Sequence, residues 1–122
     1  MTPIRVVLVE DNHVFRSTLE LLFELRDDVE IVASVATGTN AERVVTEHRP
    51  DVVLLDYRLP GMNGLEVTRA LRTASPEVRV VCLTASVSKR EIAELYDAGA
   101  VACLTKDEGL DEIVAAIHRA AA

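Results

Sequence analysis

The chain has no tryptophan, only two phenylalanines and two tyrosines, and two cysteines in 122 residues. With so few rings (Phe15, Phe23, Tyr57 and Tyr96) the core has to be built from Val, Leu, Ile and Ala. Cys82 and Cys103 lie in apolar runs without clustered histidines, which excludes a zinc site. They read as small core hydrophobes, and no disulfide is expected between them. No apolar run approaches a membrane span, and Met1-Thr2-Pro3 leads straight into a strand-like segment without a signal peptide. The expected location is therefore the cytoplasm, with no membrane contact. Positive charge is scarce as well. The formal net charge is −7 and the basic residues are scattered, which argues against direct nucleic-acid contact by this segment. Lysine occurs only at 89 and 106 among 13 basic residues, the rest being arginine. A compact ammonium at one chosen place is a role arginine cannot fill. No repeat or low-complexity tract breaks the chain, and its length fits one domain with a core of its own.

What is present is a regular alternation. Buried-strand patterns at 4–9, 30–35, 52–55, 78–83 and 100–104 alternate with helical patterns. The first helix is expected over about 13–26, with Phe15, Leu19, Leu22 and Phe23 on one face. The second strand alternates more and belongs near an edge. Thr37-Gly38-Thr39-Asn40 reads as a turn and N-cap cluster opening a helix that runs to His48. A third helix follows over 65–73, and Ser88 to Glu91 has the spacing of a capping box for a fourth that Gly99 ends. Asp107 is the expected cap of the last helix, which carries Leu110, Ile113, Val114 and Ile117. Five strand–helix units with short connections call for an α/β, doubly wound parallel sheet with helices on both faces.

In such a sheet the carboxyl ends of the strands share one rim, where open α/β folds keep their chemistry. The residues that fall there are Glu10 and Asp11, Asp56, Thr84 and Ala85, and Lys106. Taken singly, each is most simply a turn residue or helix cap. As a set they are costly. Two carboxylates about 4 Å apart repel by roughly 4 kcal/mol at an effective dielectric near 20. Protonation or a bound cation relieves this, and a hard divalent ion such as Mg²⁺ suits oxygen ligands plus a phosphate.

The fragments Val9-Glu10-Asp11, Leu54-Leu55-Asp56, Leu59-Pro60-Gly61-Met62-Asn63-Gly64, Leu83-Thr84-Ala85, Ala98-Gly99-Ala100 and Leu104-Thr105-Lys106-Asp107 occur in order. Together they resemble a response-regulator receiver domain of two-component signalling over the whole of residues 1–122. Lys106-Asp107 is similar to the NarL/FixJ-like branch that carries a C-terminal helix-turn-helix. The resemblance implies a flavodoxin-like sheet of order 2-1-3-4-5 with five helices. It implies that Asp56 accepts a phosphoryl group from the phosphohistidine of a sensor histidine kinase. Glu10, Asp11, Asp56 and the backbone carbonyl of Arg58 would hold Mg²⁺, or Mn²⁺ in its place. Thr84, Ala85 and Lys106 would hold the phosphoryl oxygens. The family reads the signal out on the face of the fourth helix, fifth strand and fifth helix, where a homodimer can form. The expected output is transcription, through a DNA-binding domain that lies outside these residues.

Two departures stand out. Receivers usually carry Tyr or Phe three residues before the lysine, and here that switch position is Cys103. Tyr96 on the fourth helix is the alternative source of a ring, less favoured because half-exposed aromatics are common on amphipathic helices. Arg58 and Ser86 border the phosphoryl site in the family, and Arg58 is expected to reach solvent. His13, His48 and His118 read as surface or helix-end residues. The competing reading is a phosphorylation-independent interaction module. An aspartyl-phosphate phosphatase would need a second Asp where Arg58 stands, and a nucleotide site would need a Gly-rich loop after the first strand.

Overall fold

A computed structural model describes residues 2–122. Five strands, β1 (Ile4–Val9), β2 (Val29–Val35), β3 (Val52–Leu55), β4 (Arg79–Thr84) and β5 (Ala102–Thr105), form one sheet of order β2-β1-β3-β4-β5. Every pairing is parallel. The helices are α1 (His13–Glu24), α2 (Ala41–His48), α3 (Gly64–Ala74), α4 (Lys89–Ala98) and α5 (Leu110–Ala121). The flavodoxin-like class and the strand order match the expectation, with β2 at one edge.

The two-residue period of the strands divides the core into two layers. Val7, Val9, Val53, Leu55, Val80 and Cys82 point to the side covered by α2, α3 and α4. Val6, Leu8, Val52, Leu54, Val81 and Leu83 point to the side covered by α1 and α5. All four residues of β3 are fully buried, which is why its sequence is continuous and apolar rather than alternating. The third strand is thereby fixed in the middle of the sheet, and Asp56 leaves it at a fixed height.

Three local expectations need correction. The Thr37 to Asn40 cluster is a 3-10 turn over Gly38–Asn40, and Asn40 makes no side-chain cap for α2. Its role is packing: Gly38 N–H donates to Pro60 O at 3.4 Å, and a Cβ on Gly38 would lie 1.9 Å from Met62 O. Asp107 does not cap α5, whose N-cap position is Gly109. Its carboxylate instead accepts from the Thr105 hydroxyl, turned back toward the end of β5. Helix α1 stops at Glu24, short of the expected end, and Arg26 beyond it pairs with Asp28 at 2.9 Å. The other starts follow the sequence closely. Asn12 caps α1, while Asn63 with Glu66 and Ser88 with Glu91 form full capping boxes. Among the described residues no helix is long and apolar enough to cross a membrane.

Candidate functional site

The acidic rim is assembled by strand ends. Glu10 and Asp11 follow β1, and Asp56 follows β3, whose Val9 and Leu55 are register partners. Asp56 N–H donates to Val9 O at 3.0 Å, so the ladder continues one residue past the strand and delivers the carboxylate beside Glu10. The loop beyond is drawn tight by Gly64, whose N–H donates to Tyr57 O at 2.7 Å. A Cβ there would lie 2.7 Å from the Tyr57 Cα, so only glycine lets α3 start this close to Asp56.

Glu10, Asp11 and Asp56 each offer a carboxylate oxygen within 4.8 Å of the others. Glu10 and Asp56 are 2% and 4% exposed, whereas Asp11 faces solvent. Lys106 enters from the far side of the sheet, just after β5. Its Nζ lies 2.8 Å from Glu10 Oε1 and 3.2 Å from Asp56 Oδ2. Glu10 also accepts from Asn12 N–H at 3.0 Å, and the Arg16 guanidinium donates to its main-chain carbonyl at 2.7 Å. Burial pushes the Glu10 carboxyl up despite the opposing hydrogen bonds from Lys106 and Asn12. Burial draws the Lys106 ammonium down, but Glu10 and Asp56 outweigh it and the net shift is upward. The lysine is therefore held charged.

Thr84 closes β4, 1% exposed, and its Oγ1 has no hydrogen-bond partner among the described residues. Its main-chain carbonyl accepts from Lys106 N–H at 2.9 Å, which ties the two strand ends together. Ala85 follows it at the surface. Three carboxylates on one rim could hold a hard cation through oxygen ligands, and the ammonium and the hydroxyl beside them are groups able to donate to an anion. The structure thus brings Glu10, Asp11, Asp56, Thr84 and Lys106 to one rim.

Arg58 is exposed, as expected, yet it is tethered. Its guanidinium donates to Ser86 O at 3.4 Å and Glu91 at 3.3 Å, and lies 4.8 Å from the centroid of the Tyr57 ring. It spans from the loop after β3 to the start of α4. Cys82 is fully buried, and Cys103 is half-buried against the same core layer. The Tyr96 hydroxyl accepts from Cys103 N–H at 3.1 Å. The hydroxyl reaches the Cys103 main chain from α4, while the Tyr96 side chain stays half-exposed, as expected of an aromatic on an amphipathic helix. His118 is exposed on α5, with Nε2 2.7 Å from Asp28. Sequence reasoning missed Phe15, whose ring lies 4.8 Å from the Lys106 ammonium. Its place on the core face of α1 holds, since it packs against that layer, but no spacing within α1 discloses a partner 91 residues away.

The comparisons with known proteins agree with this geometry. Residues 6–118 match the family model described as the response regulator receiver domain. A nitrate/nitrite response regulator protein homolog from Haemophilus influenzae is 36% identical over 118 residues, covering 97% of this chain and 57% of that protein. The chain spans about half the length of the curated relatives it matches. The signal receiver domain of NarL from Mycobacterium tuberculosis superposes with a TM-score of 0.94 at 33% identity, covering 99% of this chain and 98% of the other. A LuxR-family DNA-binding response regulator from Staphylococcus aureus gives 0.91 at 27% identity, with 98% and 99% covered. On sequence, fold and the residues gathered at the strand ends alike, this chain is a response-regulator receiver domain of the NarL/LuxR type, a signalling domain of two-component systems.

Proposed function

We propose that Asp56 is the phosphoacceptor and that the donor is the phosphohistidine of a sensor histidine kinase. The observation that carries the reading is the Lys106 ammonium, 3.2 Å from the Asp56 carboxylate, next to a strand end whose buried Thr84 hydroxyl has no partner. A carboxylate oxygen of Asp56 attacks phosphorus, and the bond from phosphorus to the donor's imidazole nitrogen breaks, leaving an acyl phosphate. Phosphoryl transfer asks the protein for positioning and charge neutralisation more than for covalent chemistry. Lys106 supplies a mobile point charge, and Thr84 Oγ1 and the Ala85 N–H donate to phosphoryl oxygens. Glu10, Asp11, Asp56 and the Arg58 main-chain carbonyl are the ligands that would hold Mg²⁺, or Mn²⁺ in its place. The bound ion would offset the charge on the transferring group.

Phosphorylation then biases a two-state surface. Moving an equilibrium from 1:99 to 99:1 takes about 5.5 kcal/mol of differential interaction. Charge-assisted bonds from Thr84 and Lys106 to phosphate are of that order. The surface of α4, β5 and α5 carries the change to a partner or to a second copy of the domain. Relatives longer than this chain include transcriptional regulatory proteins, which supports transcription as the output in the cytoplasm. Incubation with Mg²⁺ and acetyl phosphate is expected to add one phosphoryl group to the intact mass. Asp56→Asn is expected to stay unmodified. An unchanged wild-type mass would sink the proposal in favour of an interaction module that signals by binding alone.

A further inference from the structure

The two cysteines are not scattered core residues. Cys82 of β4 and Cys103 of β5 are register partners on neighbouring parallel strands. Both side chains point to the layer covered by α4, where Cys82 belongs to the core and Cys103 packs against it. Neighbouring strands run about 4.8 Å apart, inside the separation of Cα atoms that a disulfide can span. The pair is asymmetric. Cys82 is 0% exposed, while Cys103 is half-buried on the edge strand, its amide donating to the hydroxyl of the half-exposed Tyr96.

We propose that Cys103 and Cys82 form a reversible oxidation site, in which Cys103 meets a peroxide and Cys82 resolves it to a cross-strand disulfide. Hydrogen bonding from Cys82 and then from Tyr96 favours the thiolate at Cys103, against the opposing effect of burial. That hydrogen bond and burial push the Cys82 thiol up. In the first step the Cys103 sulfur attacks one peroxide oxygen, giving a sulfenic acid and hydroxide. In the second the Cys82 sulfur attacks the sulfenic sulfur; the S–S bond forms, the S–O bond breaks, and water leaves with the Cys82 proton. The peroxide is reduced by two electrons and the two thiols are oxidised by two. Directly opposed positions on parallel strands hold the Cβ atoms farther apart than the ~3.8 Å mean of a relaxed disulfide. The bridge is therefore strained and readily reduced, as a transient regulatory disulfide must be in a reducing compartment.

Its effect rests on the function proposed above. Thr84 lies two residues beyond Cys82 and Lys106 three beyond Cys103. Bringing the two Cβ atoms together twists the paired ends of β4 and β5 and shifts both, and a displacement of about 1 Å at a positioning group can cost up to ~10²-fold in rate. The full chain, reduced and folded by circular dichroism, is exposed to hydrogen peroxide. The expected result is the loss of two hydrogens from the intact mass and of both titratable thiols, reversed by dithiothreitol. Cys82→Ala, or Cys82→Val if alanine loosens the core, is expected to stop at a sulfenic acid on Cys103 that dimedone traps. Cys103→Ala is expected to leave Cys82 unreactive. Folded wild-type protein that keeps both thiols, or gains oxygen at Cys103 without bridging, overturns the site. The bridged form is expected to take up phosphoryl from acetyl phosphate about tenfold more slowly, and an equal rate overturns the link to Asp56. Failure of uptake in the reduced protein would instead refute Asp56 as acceptor and leave the thiol titration as it was.

Discussion

Replacing Thr84 with valine exchanges a hydroxyl for a methyl at a residue that is 1% exposed and whose Oγ1 has no partner. Burying a hydroxyl without a hydrogen bond costs about 1–3 kcal/mol in proteins. Valine removes that cost, keeps the β-branch that β4 favours, and fills nearly the same volume. Thr84→Val is therefore expected to stabilise the unphosphorylated domain by about 1–2 kcal/mol. At a urea slope of about 2 kcal/mol/M this moves the midpoint up by ~0.5–1 M. The same change deletes a donor to the phosphoryl group, so uptake from acetyl phosphate should fall while stability rises. Opposite signs in the two assays are the signature of a group kept unsatisfied for a ligand. Thr84→Ser separates the effects: it keeps the hydroxyl and the uptake but loses about 1 kcal/mol of packing. If Thr84→Val destabilises the fold by 1 kcal/mol or more, the hydroxyl is paired at rest and the reasoning fails.

Lys106→Met leaves Glu10 buried without its cation and is expected to cost about 3 kcal/mol in urea unfolding at neutral pH with chelator present, with part of the loss restored by Mg²⁺. An unchanged midpoint would mean the ion pair contributes nothing. Hydrogen bonds from Arg26 and then His118 hold the Asp28 carboxyl well below the usual carboxylate range. A depressed folded value means this stabilisation is present above the ordinary value of 3.8 and lost as pH falls through the folded one. Asp28→Asn should therefore narrow the gap to wild type as pH drops below about 4, and a gap constant with pH would contradict the assignment. Arg58→Ala removes an exposed pair with Glu91 and should change stability by no more than about 0.5 kcal/mol. By releasing the tether between the loop after β3 and the start of α4, it should shorten the phosphoryl lifetime, followed as decay of the added mass; an unaltered lifetime would place Arg58 outside the site.

How much of this could be read from the chain depends on whether a feature is local or made by register. The sheet was legible because β3 is short, apolar, β-branched at its start and bounded by Pro50 and Pro60-Gly61, a pattern that fits a strand buried on both faces. The capping box at Ser88 is also local, and its helix starts where the spacing places it. The rim was legible for a subtler reason: parallel strands align their carboxyl ends, so Glu10, Asp56, Thr84 and Lys106 could be grouped without knowing a single distance. What failed needed contacts between units. Asp107 has the chemistry of a cap, but Thr105 claims its carboxylate, and Gly38 looks like a turn residue when its job is to let Met62 come close. Phe15 over Lys106, Tyr96 over Cys103 and the Cys82–Cys103 pairing each join residues on different elements. The last of these lay within reach. Once β4 and β5 are taken as parallel neighbours that end at Thr84 and Thr105, counting back two residues on each strand arrives at two cysteines side by side. The readings that treat Cys103 as a lost aromatic and Cys82 as a core filler describe each strand separately, and a redox pair exists only in the ladder that joins them.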